Sequence, residues 1–153
     1  MSRRRRAREM ALQMLYQCER GESSSEEVGA LFDPLSLKSD APVTETDAPR
    51  KEDRALTHAR ALFHGTIKHQ DEIDTLIRSK AEHWRLERMP TVDRNILRLA
   101  VYEFLYQLDV PKLVIINEAI ELAKRFGAED SGRFVNGLLD GLLKSHDFPG
   151  SMT

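Results

Sequence analysis

The stretch from residue 109 to residue 144 constrains the fold most, because it contains two apolar stripes at helical spacing. The first stripe runs between Pro111, whose fixed φ suits the first turn of a helix, and Gly127, which can end a helix in the left-handed conformation. The second stripe, over residues 134–143, places apolar side chains at i, i+1, i+4, i+5, i+8 and i+9. Stripes this wide are buried in helix bundles, so the stretch predicts two adjacent core helices joined by a short turn.

Four positions within this stretch carry more specific expectations. Asp130 or Ser131 can cap the second helix, because a short polar side chain there accepts a hydrogen bond from a backbone N–H group. The free N–H groups of the turn would then form an anion site. Gly137 and Gly141 are one turn apart and would let another helix approach the second helix closely.

Helical spacing of apolar residues recurs through the rest of the chain and predicts an all-α fold of about seven helices. The predicted helices before this stretch cover residues 3–20, a short segment from Ser24 or Ser25 to Phe32, and residues 52–68, 71–84 and 93–107. The last of these is apolar on most of its circumference, which is typical of a helix at the centre of a domain.

The domain organisation follows from where this pattern stops. We expect a single domain over residues 1–145. Residues 33–50 contain three of the six prolines and many Ser, Thr and Asp residues, which is typical of an inserted flexible loop. Residues 146–153 indicate a frayed tail.

Composition excludes several classes of protein. No run of apolar residues is long enough to cross a membrane, and no apolar segment of a secretory signal follows the basic N-terminus. The single cysteine, Cys18, rules out a disulfide within the chain and a cysteine-rich metal site, and its place on an apolar helix face favours a buried thiol. We therefore expect a cytoplasmic protein with no cofactor and no metal.

The charge is unevenly distributed, although the net charge is only −2. Residues 1–20 carry a balance of +4 and residues 21–50 a balance of −5. Arginines crowd the start of the first helix, where the helix dipole repels cations: Arg3, Arg4, Arg5, Arg6 and Arg8. Two interpretations stay open at this point, a solvated terminus and a phosphate-binding site.

Two further groups of residues have alternative interpretations. Leu12 and Tyr16 fall together on the side of the first helix opposite its main apolar face, so they form either a second packing surface or a partner site. Phe134 lies in the first turn of the last helix, where it either covers the core or stacks on an unpaired base.

Signals of catalysis are weak. The chain has no Gly-rich phosphate loop and no nucleophile elbow, and its five histidines show no metal-ligand spacing. Glu118 and Glu121 could be paired carboxylates, but Glu121 also precedes Arg125 by four residues, the favourable order for an ion pair on a helix. These patterns favour a protein that binds over an enzyme.

Three segments give the chain a resemblance to a known family. The sequences RRRAREMALQMLYQ, DRNILRLAVYEF and VPKLVIINEAIELAKRFGAEDSGRFVNG resemble, in the same order, those of the NusB family of bacterial transcription antitermination factors. The resemblance covers most of the chain outside residues 22–50 and the tail. It implies two roughly perpendicular three-helix bundles plus a short extra helix.

The resemblance also implies a function and a set of binding residues. It implies binding of the single-stranded boxA element of ribosomal RNA leader transcripts, together with the ribosomal protein NusE, within an RNA polymerase complex that suppresses premature termination. The RNA-binding residues that it implies are Arg4, Arg5, Arg6 and Arg8, extended by Arg3, together with Asp130, Ser131, Arg133 and Phe134. The partner-binding residues are Tyr16, Asp93 and Arg94, with Glu118 at the rim and Leu12 beside Tyr16.

Alternative functions remain at this stage. The same fold forms the RNA-binding front domain of some ribosomal RNA cytosine methyltransferases, and a protein-only interaction module would also fit the basic end. The face around Leu12 and Tyr16 could equally serve a homodimer.

Overall fold

The computed structural model describes residues 2–21, 24–32, 48–81 and 85–149. Within these ranges the chain is helical and forms no strand, which confirms the predicted all-α class. The seven α-helices are α1 (Arg3–Glu19), α2 (Ser25–Leu31), α3 (Ala48–Lys68), α4 (Gln70–Lys80), α5 (Thr91–Tyr106), α6 (Lys112–Phe126) and α7 (Ser131–Ser145), and a 3₁₀ turn (Leu86–Arg88) precedes α5.

The chain divides into two compact units, Met1–Gly65 and Thr66–Thr153. In the first unit, Ser2 caps α1, because its hydroxyl accepts a hydrogen bond of 3.1 Å from the Arg5 N–H. Helix α2 packs on α3 through Gly29, whose missing side chain leaves room for the His64 ring. The Arg60 Nε donates a hydrogen bond of 2.6 Å to the Gly29 carbonyl. A Cβ at position 29 would therefore require the exposed His64 side chain to move.

Helix α5 is the centre of the second unit, as its apolar circumference predicts, since it packs against α4, α6 and α7. A buried ion pair joins it to α4: Arg98 Nε lies 2.9 Å from Asp74 Oδ1, and Arg98 Nη2 lies 3.0 Å from Asp74 Oδ2. This two-point geometry matches the planar guanidinium to the planar carboxylate. It fixes the rotation of α4 against α5.

The chain after α7 is held against α5 and α6, whereas a frayed tail was expected from residue 146. The Phe148 ring is buried and lies 5.2 Å from the Phe104 ring, centroid to centroid. The Lys112 ammonium, itself buried, donates to the carbonyl oxygens of Phe104 (2.9 Å) and Pro149 (3.0 Å). Burial lowers the pKa of Lys112. Residues 150–153 lie outside the described ranges.

Three expectations about glycines differ from the structure. Gly127 ends α6 with φ −94°, so it does not use the left-handed conformation. It is required for space instead, because a Cβ there would lie 2.6 Å from the Ser131 Oγ and 2.8 Å from the Ala123 carbonyl oxygen. Gly137 faces open space, and Gly141 faces only the Lys80 side chain at 3.8 Å. These two glycines therefore do not mediate a close approach of helix backbones.

Most of the predicted flexible loop at 33–50 lies outside the described residues, and its last three positions belong to α3. None of the described helices combines the length and the apolar character that crossing a lipid bilayer requires.

Candidate nucleic-acid interface

The arginines at the start of α1 divide into an exposed and a buried group. Arg3, Arg4 and Arg5, here called the arginine triplet, are exposed. Arg6 is half-buried and lies 3.9 Å from the Glu9 carboxylate. Arg8 is only 3% exposed, so it offers no open contact, although the resemblance implied that it binds RNA. The triplet is therefore the part of the run that can meet an anion directly.

The packing of α1 explains why the arginine triplet is exposed whereas Arg8 is buried. The buried face of the helix begins at Ala7, and burial is continuous through Leu12, so it takes in charged as well as apolar side chains. The triplet occupies the first turn, before this buried segment. Sequence periodicity places apolar side chains on a face, but it does not reveal how far along the helix the packing extends.

The turn between α6 and α7 holds the second group of predicted RNA contacts. Asp130 and Arg133 are exposed, and Phe134 is half-buried. Ser131 is only 2% exposed, and its hydroxyl accepts a hydrogen bond of 2.9 Å from the Ala128 N–H. It therefore offers no open contact, although a polar contact was expected there. Asp130 is the N-cap residue of α7, but its side chain forms no capping hydrogen bond, and the Ser131 hydroxyl accepts from the turn, so neither predicted cap forms.

The predicted anion site at this turn is partly occupied by the turn's own hydrogen bonds. The Ala128 N–H donates to Ser131, as described, and the Ser131 N–H donates to the Ala128 carbonyl at 3.0 Å. The side chains of Asp130, Arg133 and Phe134, rather than these N–H groups, are what the turn presents to a ligand.

The predicted partner residues of the first unit also divide by burial. Leu12 is only 7% exposed, so it belongs to the core instead of an open surface. Tyr16 is 38% exposed, and the Arg20 guanidinium lies over its ring at 5.8 Å from the centroid. An exposed aromatic ring with a stacked cation is suited to docking a partner.

In the second unit, Asp93 and Arg94 lie in the first turn of α5. The Asp93 side chain is only 4% exposed, and its Oδ1 is buried with no hydrogen-bond donor in the structure described. The Arg94 Nη1 donates to the carbonyl oxygens of Leu86 (3.2 Å) and Glu87 (3.3 Å), which ties it to the 3₁₀ turn. Glu118, on α6, is half-buried.

An aromatic cluster in the second unit was missed by the sequence analysis. The His69 ring stacks on the Tyr106 ring at 4.2 Å, and Tyr102 lies 5.3 Å from Tyr106. The Tyr106 hydroxyl donates a hydrogen bond of 2.8 Å to Glu72, and this bond raises the pKa of Tyr106. The spacing of Tyr102 and Tyr106, four residues apart on one helix, was the signal that could have predicted it.

Two kinds of chemical site were considered from the sequence, a metal site and a pair of carboxylates, and the described residues support neither. Among the residues described, no group of histidine, cysteine or acidic side chains could hold a metal ion. Glu121 lies 3.9 Å from Lys124 on the surface of α6, with both side chains more than half exposed. It therefore belongs to a solvated ion pair on a helix surface.

An all-α fold with an exposed basic helix start and an exposed turn carrying Arg133 and Phe134 defines a class of helical binding proteins. Within that class the chain belongs to the NusB family, whose model matches residues 5–144.

Individual relatives agree with this assignment. The chain is 46% identical over 140 residues to a transcription antitermination protein NusB of Myxococcus xanthus, covering 92% of this chain and 94% of the relative. It is similar to a structure of T. maritima NusB, with a TM-score of 0.72, 40% identity and coverage of 94% and 92%. It is also similar to a crystal structure of the antitermination factors NusB and NusE in complex with dsRNA, with a TM-score of 0.73, 27% identity and coverage of 95% and 99%. The family consists of transcription antitermination proteins, so the expectation of a non-catalytic factor is confirmed.

Proposed function

We propose that this protein is a cytoplasmic transcription antitermination factor that binds boxA-type single-stranded RNA of ribosomal RNA leader transcripts together with ribosomal protein NusE. In this proposal the pair joins the RNA polymerase complex and suppresses premature termination. The observation that carries the proposal is the family membership over residues 5–144, which includes a structural relative solved with NusE and RNA. The exposed side chains then assign roles within it.

The arginine triplet would hold RNA phosphates. Arginine presents fixed donor geometry to a phosphate, and each phosphate that is neutralised releases counterions into solution. Because Arg3, Arg4 and Arg5 are exposed in the first turn of α1, they can contact a strand without rearrangement of the helix. This contact would supply affinity that depends on salt but not on base sequence.

The turn between α6 and α7 would supply base contacts. The half-exposed ring of Phe134 can stack on an unpaired base, and Asp130 and Arg133 beside it can form hydrogen bonds to base edges or phosphates. Single-stranded RNA exposes base faces for such stacking, whereas a duplex does not. This difference supports the choice of a single strand as the ligand.

NusE would dock on residues that the two units expose separately. Tyr16 offers an aromatic ring in the first unit, and Arg94 and Glu118 offer charged groups in the second. The buried Asp93 Oδ1 has no donor, and an unsatisfied buried oxygen is destabilising by about 1–3 kcal/mol. A donor group that NusE brings to the start of α5 would relieve this cost. A homodimer that uses Tyr16 would compete with NusE for the same ring.

The proposal is tested by fluorescence anisotropy with a labelled boxA-like single strand, titrated with the protein in the presence and absence of NusE. A scrambled single strand and a duplex are the matched controls. We expect binding that is tighter for the boxA-like strand and tighter still with NusE, because two linked contacts act at high effective concentration. Equal binding to all three RNAs, unaffected by NusE, would refute the proposal.

Single variants then assign the roles. Replacing Arg4 and Arg5 by Ala should lower the slope of log K against log salt by about 0.7 for each lost phosphate contact on a single strand. Phe134→Ala should weaken binding by about 1–3 kcal/mol if a base stacks on the ring. Circular dichroism of the same samples separates the roles, since a loss of helix signal in Phe134→Ala would assign the ring to the core.

A further inference from the structure

A cleft of about 440 Å³ lies between the start of α1 and one face of α3, within the unit Met1–Gly65. Arg3 lines it from α1, and Arg54, Thr57, His58 and Ala61 line it from α3. The four α3 residues are spaced i, i+3, i+4 and i+7, so they share one face of the helix. The cleft begins at the arginine triplet, because Arg3 belongs to both.

We propose that this cleft binds the phosphates of an RNA strand and thereby extends the RNA path from the arginine triplet onto α3. Arg54, Thr57 and His58 are the additional contacts. The inference rests on the proposed function, since it names a further segment of the same RNA-binding surface.

The charges of the cleft require an anion. Arg3 and Arg54 are both exposed, and neither forms an ion pair with a residue that the structure describes. Among the lining residues that the structure describes, none is acidic. Two guanidinium groups that border one cleft repel each other, and an anion between them is attracted by both. A basic peptide or a metal cation would be repelled by both guanidinium groups.

The donor groups indicate which anion fits. A guanidinium group offers parallel N–H donors that match two phosphate oxygens. Thr57 and His58, which also interact with other residues of the protein, add polar side chains to the same cleft. Ala61 has a small side chain, so it leaves the cleft open at its position. None of the described lining residues is Phe, Tyr or Trp, so they offer no face for base stacking. The site therefore suits a phosphodiester backbone of any sequence.

The test measures the salt dependence of RNA binding for Arg54→Gln and the affinity at a single salt concentration for His58→Gln, using a labelled single strand in fluorescence anisotropy. For a single strand, each lost phosphate contact lowers the slope of log K against log salt by about 0.7. The loss of affinity between 50 and 200 mM salt should then be about 2.6-fold smaller for Arg54→Gln than for the unchanged protein. Arg54→Lys keeps the charge and should restore most of the slope.

Lys68→Gln is the matched control, because it removes one exposed positive charge at the other end of α3. It should leave the slope unchanged. Circular dichroism confirms that each variant folds, as expected for the exposed Arg54.

Three outcomes would overturn the inference. If Arg54→Gln keeps the full slope and His58→Gln keeps the full affinity while the double Ala variant of Arg4 and Arg5 loses slope, the cleft does not contact RNA, but the proposed function stands. If these variants keep RNA binding unchanged and instead lose binding to an acidic protein, the cleft docks protein. If the unchanged protein binds no RNA, the proposed function and the inference fail together.

Discussion

The buried ion pair between Asp74 and Arg98 allows a prediction whose magnitude follows from the structure. Both side chains are almost enclosed, with exposed fractions of 8% for Asp74 and 11% for Arg98. Asp74→Ala would remove both charge-assisted hydrogen bonds that the nearly enclosed Arg98 guanidinium makes to the Asp74 carboxylate. Breaking a buried pair by removing one partner costs about 3–5 kcal/mol, because the remaining charge is uncompensated.

This loss is large relative to the stability of a domain, which is about 5–15 kcal/mol. In a chain of this size each kcal/mol shifts the unfolding temperature by roughly 2–4 °C, so Asp74→Ala should lower it by roughly 6–20 °C. The measurement is urea and thermal unfolding followed by circular dichroism at neutral pH. The double variant with Arg98→Met should be more stable than Asp74→Ala alone, because it removes the unpaired buried charge.

The exposed pair of Arg78 and Glu87 supplies the control. Its atoms are as close, at 2.8 Å, but its side chains are 54% and 66% exposed. Glu87→Ala should leave the urea midpoint nearly unchanged, because water screens the pair. If Asp74→Ala changed the midpoint as little as Glu87→Ala does, the argument from burial would be refuted.

Three further predictions concern Lys112, Cys18 and Phe148. Burial lowers the pKa of Lys112 in the folded protein below its usual value near 10.5. At a pH between the folded and the unfolded pKa, the unfolded chain binds a proton that the folded chain lacks, so the free energy of unfolding rises with pH. Lys112→Met should remove that rise in urea unfolding, and an unchanged pH profile would contradict the assignment. Burial, with Glu19 beside it, raises the pKa of Cys18, so iodoacetamide should alkylate the folded protein with a midpoint at higher pH than the urea-unfolded protein. A lower midpoint would show an activated thiolate. Phe148→Ala should destabilise the protein by about 3–5 kcal/mol in urea unfolding, since the ring is buried, and a near-neutral effect would show that the tail packs only loosely.

The helices could be predicted from the sequence because their determinants are local. The apolar spacing and the caps predicted α1 within one residue of its end, and Pro111 and Gly127 flank α6 as expected. The same reasoning correctly made residues 93–107 the central helix of its unit. Such signals require no knowledge of which helices meet.

The site residues were harder to predict, because their exposure depends on tertiary packing. Arg8 and Leu12 are buried although their sequence positions suggested accessible faces, and Ser131 turns its hydroxyl back to its own turn. Lys112 was missed as well, because nothing in the local sequence shows that two carbonyl groups from separate segments converge on its ammonium. Distances between segments far apart in the chain are what periodicity cannot supply.

The crowding around Gly127 restricts how this turn can diverge over evolutionary time. Exchange of Ser131 for Ala would remove the Oγ but keep a side-chain Cβ 2.7 Å from a Cβ at position 127. The Ala123 carbonyl oxygen, 2.8 Å from that Cβ, belongs to the backbone and would remain whatever side chain occupies position 123. No compensating substitution elsewhere can therefore make room for a side chain at position 127. In a library of random variants selected for function, position 127 should stay glycine.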